Sequence, residues 1–163
     1  MPVLQHLCQI LYDSSFGTAI RESDYAFSVI ESVHVLGITA LFGTIAILDL
    51  RMLGLVLRGI AVTRVARAVF PITWGGFSIM FVSGFLLFWS EAAKNYTNPA
   101  FRIKMVSLVL AILFSFTLHR RVTRLDESHL AGAWPKWAAV ISLVLWTSVG
   151  LAGRAIGYVP QLH

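Results

Sequence analysis

Residues 25–51 read YAFSVIESVHVLGITALFGTIAILDLR, and this stretch decides the fold. It is apolar over more than the ~20 residues an α-helix needs to cross a bilayer. It also holds three ionisable groups, Glu31, His34 and Asp49. Such a group at the centre of a membrane helix costs about 2.5 kcal/mol or more, so it faces a partner, a cavity or a cofactor. Glu31 and His34 are three residues apart and share one face of the helix.

The rest of the chain has the same character. It has 163 residues, 57% of them hydrophobic and 13% charged, with a mean hydropathy of +0.76. Soluble domains carry about 25% charged residues. The sequence therefore implies an integral membrane protein whose length suits one transmembrane domain, residues 1–163. The net charge of +5 is not interleaved with aromatic residues on a polar surface, so it reads as a topology signal and not as a nucleic-acid footprint. Cys8 is the single cysteine, which excludes an internal disulfide and paired-Cys metal sites. No basic region precedes the first apolar residues, which argues against a cleaved signal peptide.

Working outward, spans are expected at about 25–49, 66–91, 100–121 and 135–158. Pro71 falls in the first turns of the second, and Pro99 and Pro135 start the third and fourth. Residues 2–13, PVLQHLCQILYD, repeat apolar side chains at helical spacing but are too short to span, so an amphipathic interfacial helix is expected there. Ser14, Ser15 and Gly17 break it, Ser23 or Asp24 caps the next helix, and AAKNYTNP is a short loop. Small residues (Gly37, Ala40, Gly43, Thr44; Gly75, Gly76, Ser83, Gly84; Gly150, Gly153, Gly157) offer close-packing faces, and through them homo-oligomers. The fold class is thus an all-α, integral-membrane four-helix bundle with an N-terminal interfacial helix.

The connections after spans one and three hold eight basic residues (Arg51, Arg58, Arg64, Arg67, Arg120, Arg121, Arg124, Lys136), and the other side holds five (Arg21, Lys94, Arg102, Lys104, Arg154). The positive-inside rule then puts both termini outside, which is the periplasm for a bacterial inner membrane.

At that outer side His34, Glu31, Glu91, Trp89, Tyr96, Lys104 and Arg154 form one cluster; His119, Asp49, Arg51 and Arg120 form an inner one. His34 reads either as a histidine hydrogen-bonded across the helices, to Glu31 or a serine, or as an iron or copper ligand whose second nitrogen needs an orienting partner. Glu31 is available as that partner or as a second ligand. A di-iron site needs two Glu-x-x-His motifs, and only one copy is present. Lys104 and Arg154 read as snorkelling cations or as partners of an anion such as haem propionates. His119 invites a bis-His iron, but it differs from His34 in depth by roughly 10–15 Å, against ~4 Å between axial nitrogens. His119 is expected either to pair with Asp49 at the inner face or to bind a second cofactor as a metal ligand. His6, His129 and His163 fall in surface segments. Trp74 and Trp146 lie deep enough to line a planar cofactor or the core. No Gly-rich phosphate loop, HExxH or serine-hydrolase arrangement is present.

The segments IESVHVLGITALFGTIAILDLRMLGL, WGGFSIMFVSG and FRIKMVSLVL resemble a bacterial family of small, uncharacterised four-helix membrane proteins, over about residues 21–157. More distantly, a histidine in helix one with a lysine opening helix three is similar to HemJ-type protoporphyrinogen oxidases and CopD-like copper-resistance membrane domains. In the HemJ group that pair is associated with haem and activity, and the resemblance implies haem or copper binding at His34 and Lys104 more than the oxidase reaction. The chain lacks the remainder of the HemJ motif, and Asp49-Leu50-Arg51 is not part of it.

The expectation is a haem b protein in electron transfer or porphyrin redox chemistry. His34 is its iron ligand, Glu31 its orienting group, and Lys104 and Arg154 the propionate partners; the redox partner is unspecified. The alternatives are a copper-binding or copper-handling protein with His34 and Glu31 as ligands, and a non-enzymatic structural or accessory subunit.

Overall fold

The computed structural model describes residues 2–124 and 132–158. Within them it is all-helical: α1 (Pro2–Tyr12), α2 (Ser15–Glu22), α3 (Ala26–Met52), α4 (Val62–Ser90), α5 (Ala92–Thr97), α6 (Pro99–Arg124) and α7 (Ala133–Ala155). Four of these, α3, α4, α6 and α7, are long and apolar enough to cross a membrane. Their outward faces carry large apolar side chains such as Leu36, Phe81, Leu113 and Leu151. That surface suits a hydrocarbon solvent, where such side chains lose nothing by exposure.

The four long helices alternate in direction. Near one end, Leu48 and Met52 from the end of α3 cluster with Val62, Val65 and Ala66 from the start of α4, Leu118 and Val122 late in α6, and Ala139 early in α7. Here this is called the tail end. At the opposite, head end the Asn98 side-chain amide, just before α6, donates to the carbonyl of Ile156 just after α7 at 3.1 Å. A second apolar cluster of Leu41, Ile45, Met80, Ala111, Trp146 and Val149 fills the middle. α3 packs most extensively on α4, and α6 on α7. α3 also meets α7, whereas α4 and α6 are spaced more widely and meet through aromatic pairs near both ends, Phe70–His119 and Phe88–Phe101.

The α3–α4 contact is close because two glycines face each other. A Cβ on Gly76 would come within 2.8 Å of the Leu41 backbone nitrogen, and one on Gly37 within 3.0 Å of the Met80 nitrogen. The expected glycine faces are thus partly realised: Gly43, Gly75 and Gly150 have nothing within 4 Å of such a Cβ.

α3 runs three residues past its expected end. It closes at Gly54, whose φ of 74° only glycine adopts at little cost. The Gly54 amide bonds the Arg51 carbonyl and the Leu55 amide bonds the Leu50 carbonyl, both at 3.0 Å, which satisfies two orphan carbonyls in a Schellman arrangement. α4 begins at Val62 and not at 66, so Pro71 lies inside it. There the missing amide removes one hydrogen bond from the helix.

The N-terminal segment is two helices. Ser14 does end α1, but its hydroxyl then accepts from the Gly17 amide at 3.1 Å and starts α2, which the sequence reading left as a break. Likewise 92–97 is helical and not a loop. Ser23 accepts from the Ala26 amide at 3.2 Å, but the N-cap position of α3 is Tyr25, not Ser23 or Asp24. Trp89 Nε1 donates to the same Ser14 hydroxyl at 2.9 Å, and Phe16 meets the Trp89 ring edge-on. Arg21 reaches the carbonyls of Tyr12 (3.2 Å) and Ser90 (2.9 Å) and lies over the Tyr12 ring. These contacts fasten α1 and α2 to the end of α4. The surface placement expected for His129 and His163 lies outside the described residues.

Candidate functional site

His34 is buried on α3, facing α4. Its Nδ1 lies 2.9 Å from Ser83 Oγ. That hydroxyl donates its single proton to the Ile79 carbonyl at 2.5 Å. With its proton on Ile79 the hydroxyl accepts from His34, an arrangement that assigns the ring proton to Nδ1. The Met80 carbonyl, 3.4 Å from the same hydroxyl, also interacts with the imidazole. Nε2 is left with its lone pair and has no hydrogen-bond partner among the described residues. The ring lies on bare backbone: a Cβ on Gly84 would stand 2.9 Å from His34 Cε1.

Lys104 reaches the same layer from α6. Its Cε, Cδ and Nζ lie 3.6–3.7 Å from where a Cβ on Gly153 of α7 would be. It is half-buried, and its charge is close enough to act on the His34 ring. No hydrogen bond or ion pair holds its ammonium among the described residues. One layer toward the head end thus receives an imidazole from α3, a hydroxyl and a glycine from α4, a cation from α6 and a glycine from α7. An oriented imidazole lone pair can bind a metal, and an unpaired ammonium can hold an anion.

The remaining expected members stand elsewhere. Glu31 is exposed and makes no hydrogen bond or ion pair among the described residues, so it does not orient His34; Ser83 does. Arg154 is exposed and donates to the Tyr158 hydroxyl at 2.7 Å, with its guanidinium over that ring. It is engaged at the helix end and does not turn toward Lys104. Glu91 pairs with Lys94 at 2.7 Å. Tyr96 takes Arg102 on its carbonyl and ring.

His119 stacks on Phe70 of α4, with centroids 4.6 Å apart. Phe70 and Ser83 are thirteen residues apart on α4, or ~20 Å along its axis. The two histidines therefore cannot share an iron. Nor does His119 pair with Asp49 as expected. The Asp49 partner is Ser142 of α7, and Arg51 turns away to the Ile60 carbonyl at 2.6 Å. Trp146 is in the core with its indole on Ser115, while Trp74 is exposed.

Sequence reasoning named a serine as one possible partner for His34 but did not find Ser83. It placed Ser83, Gly84 and Gly153 only as packing residues. Among the described residues no three His, Cys, Asp or Glu side chains converge on one metal-sized site.

Residues 16–159 match the family of unknown function DUF6644, and the chain belongs to that family. No curated protein matches the chain, and no solved structure does.

Proposed function

We propose that this member of the family is a multi-pass membrane protein that binds haem b through His34 and serves electron transfer or porphyrin redox chemistry. In this reading α3, α4, α6 and α7 form a four-helix bundle, the head end faces the periplasm of a bacterial inner membrane, and α1 and α2 lie at that interface. The observation that carries it is the free Nε2 of a tautomer-fixed His34 in the same layer as an unpaired Lys104. The Nε2 lone pair would bind iron and the Lys104 ammonium would hold a propionate. Ser83 would keep the ring oriented, and Gly84 and Gly153 would leave bare backbone beside it. Haem, when bound, supplies a reversible one-electron carrier. Arg154 and His119 are outside this reading.

A bare copper ion is the weaker alternative. No three His, Cys, Asp or Glu side chains converge on His34 among the described residues, whereas a porphyrin brings four nitrogens of its own. An accessory or structural role is the second reading. It is favoured by the Gly37–Gly76 contact, which makes the His34–Ser83 bond one more link between tightly packed helices.

The test is an absorption spectrum of the purified protein, oxidised and dithionite-reduced, beside His34→Ala, Lys104→Met and His119→Ala. A Soret band lost in His34→Ala, weakened in Lys104→Met and retained in His119→Ala supports the reading. Copper by elemental analysis without a Soret band selects the alternative. A blank on both leaves the structural role.

A further inference from the structure

Asp49 is the one buried acid among the described residues, and the His34 layer does not use it. Its side chain is 1% exposed, as is that of Ser142, its hydrogen-bond partner on α7. The other carboxyl oxygen, Oδ2, is buried with no partner among the described residues. The surroundings are apolar: Leu48, Met52, Leu118 and Ala139 belong to the tail-end cluster at this level.

Among the described residues no opposite charge compensates it. On α3, Arg51 is spent on the Ile60 carbonyl. On α4, Arg64 and Arg67 are exposed. On α6, His119 stacks on Phe70, Arg120 lies over Phe116 and Arg121 is exposed. On α7, Lys136 is exposed. None of these is a partner of Asp49. An ionised carboxylate here would hold charge on an oxygen with no donor, and an isolated buried charge neutralises instead of persisting. A metal cation would need several oxygens, and no three ligating side chains converge among the described residues. A proton needs one lone pair.

We propose that Asp49 and Ser142 form a proton-binding site inside the membrane-spanning part of the protein, occupied at neutral pH. Binding one proton converts the carboxylate to the neutral acid with no redox change. The site is separate from His34, fifteen residues away on α3 or ~22 Å along the helix.

Infrared difference spectra in lipid nanodiscs at neutral pH test this, with wild type, Asp49→Asn, Ser142→Ala and His34→Ala compared in H2O and D2O. The expected result is a carboxylic-acid carbonyl band in wild type that shifts in D2O, disappears in Asp49→Asn and persists in His34→Ala. Ser142→Ala should move that band to higher frequency, because one hydrogen bond to the acid is lost. A difference spectrum against Asp49→Asn that shows only carboxylate bands overturns the proposal; so does a carboxylate band that responds to sodium or potassium. If Asp49→Asn does not fold, an unshifted carbonyl region in Ser142→Ala overturns it equally. Persistence of the band in His34→Ala separates this result from the fate of the haem reading.

Discussion

The Ser83 hydroxyl stands between His34 Nδ1 and the Ile79 carbonyl, 2.9 Å from one and 2.5 Å from the other. One side chain of α4 thus sets the tautomer of a histidine on α3. Replacing Ser83 by alanine removes the acceptor and lets the ring re-protonate. A hydrogen bond between membrane helices is worth about 0.6 kcal/mol, up to ~1.7. Ser83→Ala should therefore lower the unfolding free energy by about that much, measured by denaturant titration in micelles. A 15N-histidine spectrum should show the Nδ1–H signature of His34 lost. An unchanged tautomer in Ser83→Ala would refute the assignment.

Gly84 is tied to the same ring. Alanine there gains up to about 1 kcal/mol of helix propensity, but its Cβ would meet the imidazole at 2.9 Å. Overpacking costs about 1–3 kcal/mol, so the net effect is destabilising while His34 is present. In a His34→Ala background the clash is gone and Gly84→Ala should be neutral or stabilising. Additive effects in this double-mutant cycle would contradict the contact.

Two more glycines separate packing from propensity. In Gly76→Ala the new methyl meets the Leu41 backbone, which has no rotamer to yield, so α3 and α4 must part. Gly43→Ala enters open space and should stabilise by up to about 1 kcal/mol. Thermal unfolding midpoints should therefore fall for Gly76→Ala and hold or rise for Gly43→Ala. The reverse order would overturn the helix pairing described here.

The N-terminal helices hang on Trp89 and Arg21. Trp89→Phe keeps the aromatic contact with Phe16 but loses the donor to Ser14, a change of about 0.5–1.5 kcal/mol. Arg21→Ala removes the link to Ser90. Both variants should speed amide exchange in α1 and α2 and leave the cores of α3 and α7 unaffected. Protection lost evenly along the chain would mean that these helices are not a separately docked unit.

Cys8, in α1, is buried, and burial pushes its thiol up from the ordinary range. The thiolate is the reactive form, so alkylation of the folded protein should lag behind the unfolded chain, with its pH profile displaced upward. The unfolded thiol ionises first as pH rises, so the folded state loses this contribution above the ordinary thiol range. Identical profiles for folded and unfolded protein would count against burial of Cys8.

The four long apolar helices were legible because a long apolar run needs no partner to declare itself. Their ends drifted where local chemistry decided. The Schellman turn at Gly54 carried α3 past Asp49, and α4 started early enough to take Pro71 into its interior. Ser14 was read as a breaker, and it is one; that it also starts α2 depends on the Gly17 amide returning to it. The site was legible by residue type but not by partner. His34 and Lys104 stood out as polar groups in apolar helices. Ser83 as the orienting group and Ser142 as the partner of Asp49 depend on how one helix is rotated and slid against another. A single helix sequence does not encode that. Glu31 illustrates the error: it is near His34 in sequence and on its face, yet the contact comes from forty-nine residues away.

The uneven contacts among the long helices have a further consequence for how the molecule comes together. α3 belongs with α4 and α6 with α7, and the α3–α7 contact joins the two pairs together with the aromatic pairs between α4 and α6. A chain interrupted between Thr97 and Pro99, where the short α5 gives way to α6, should yield two helical hairpins. Each would insert on its own, and they would find each other in the bilayer along the α3–α7 seam.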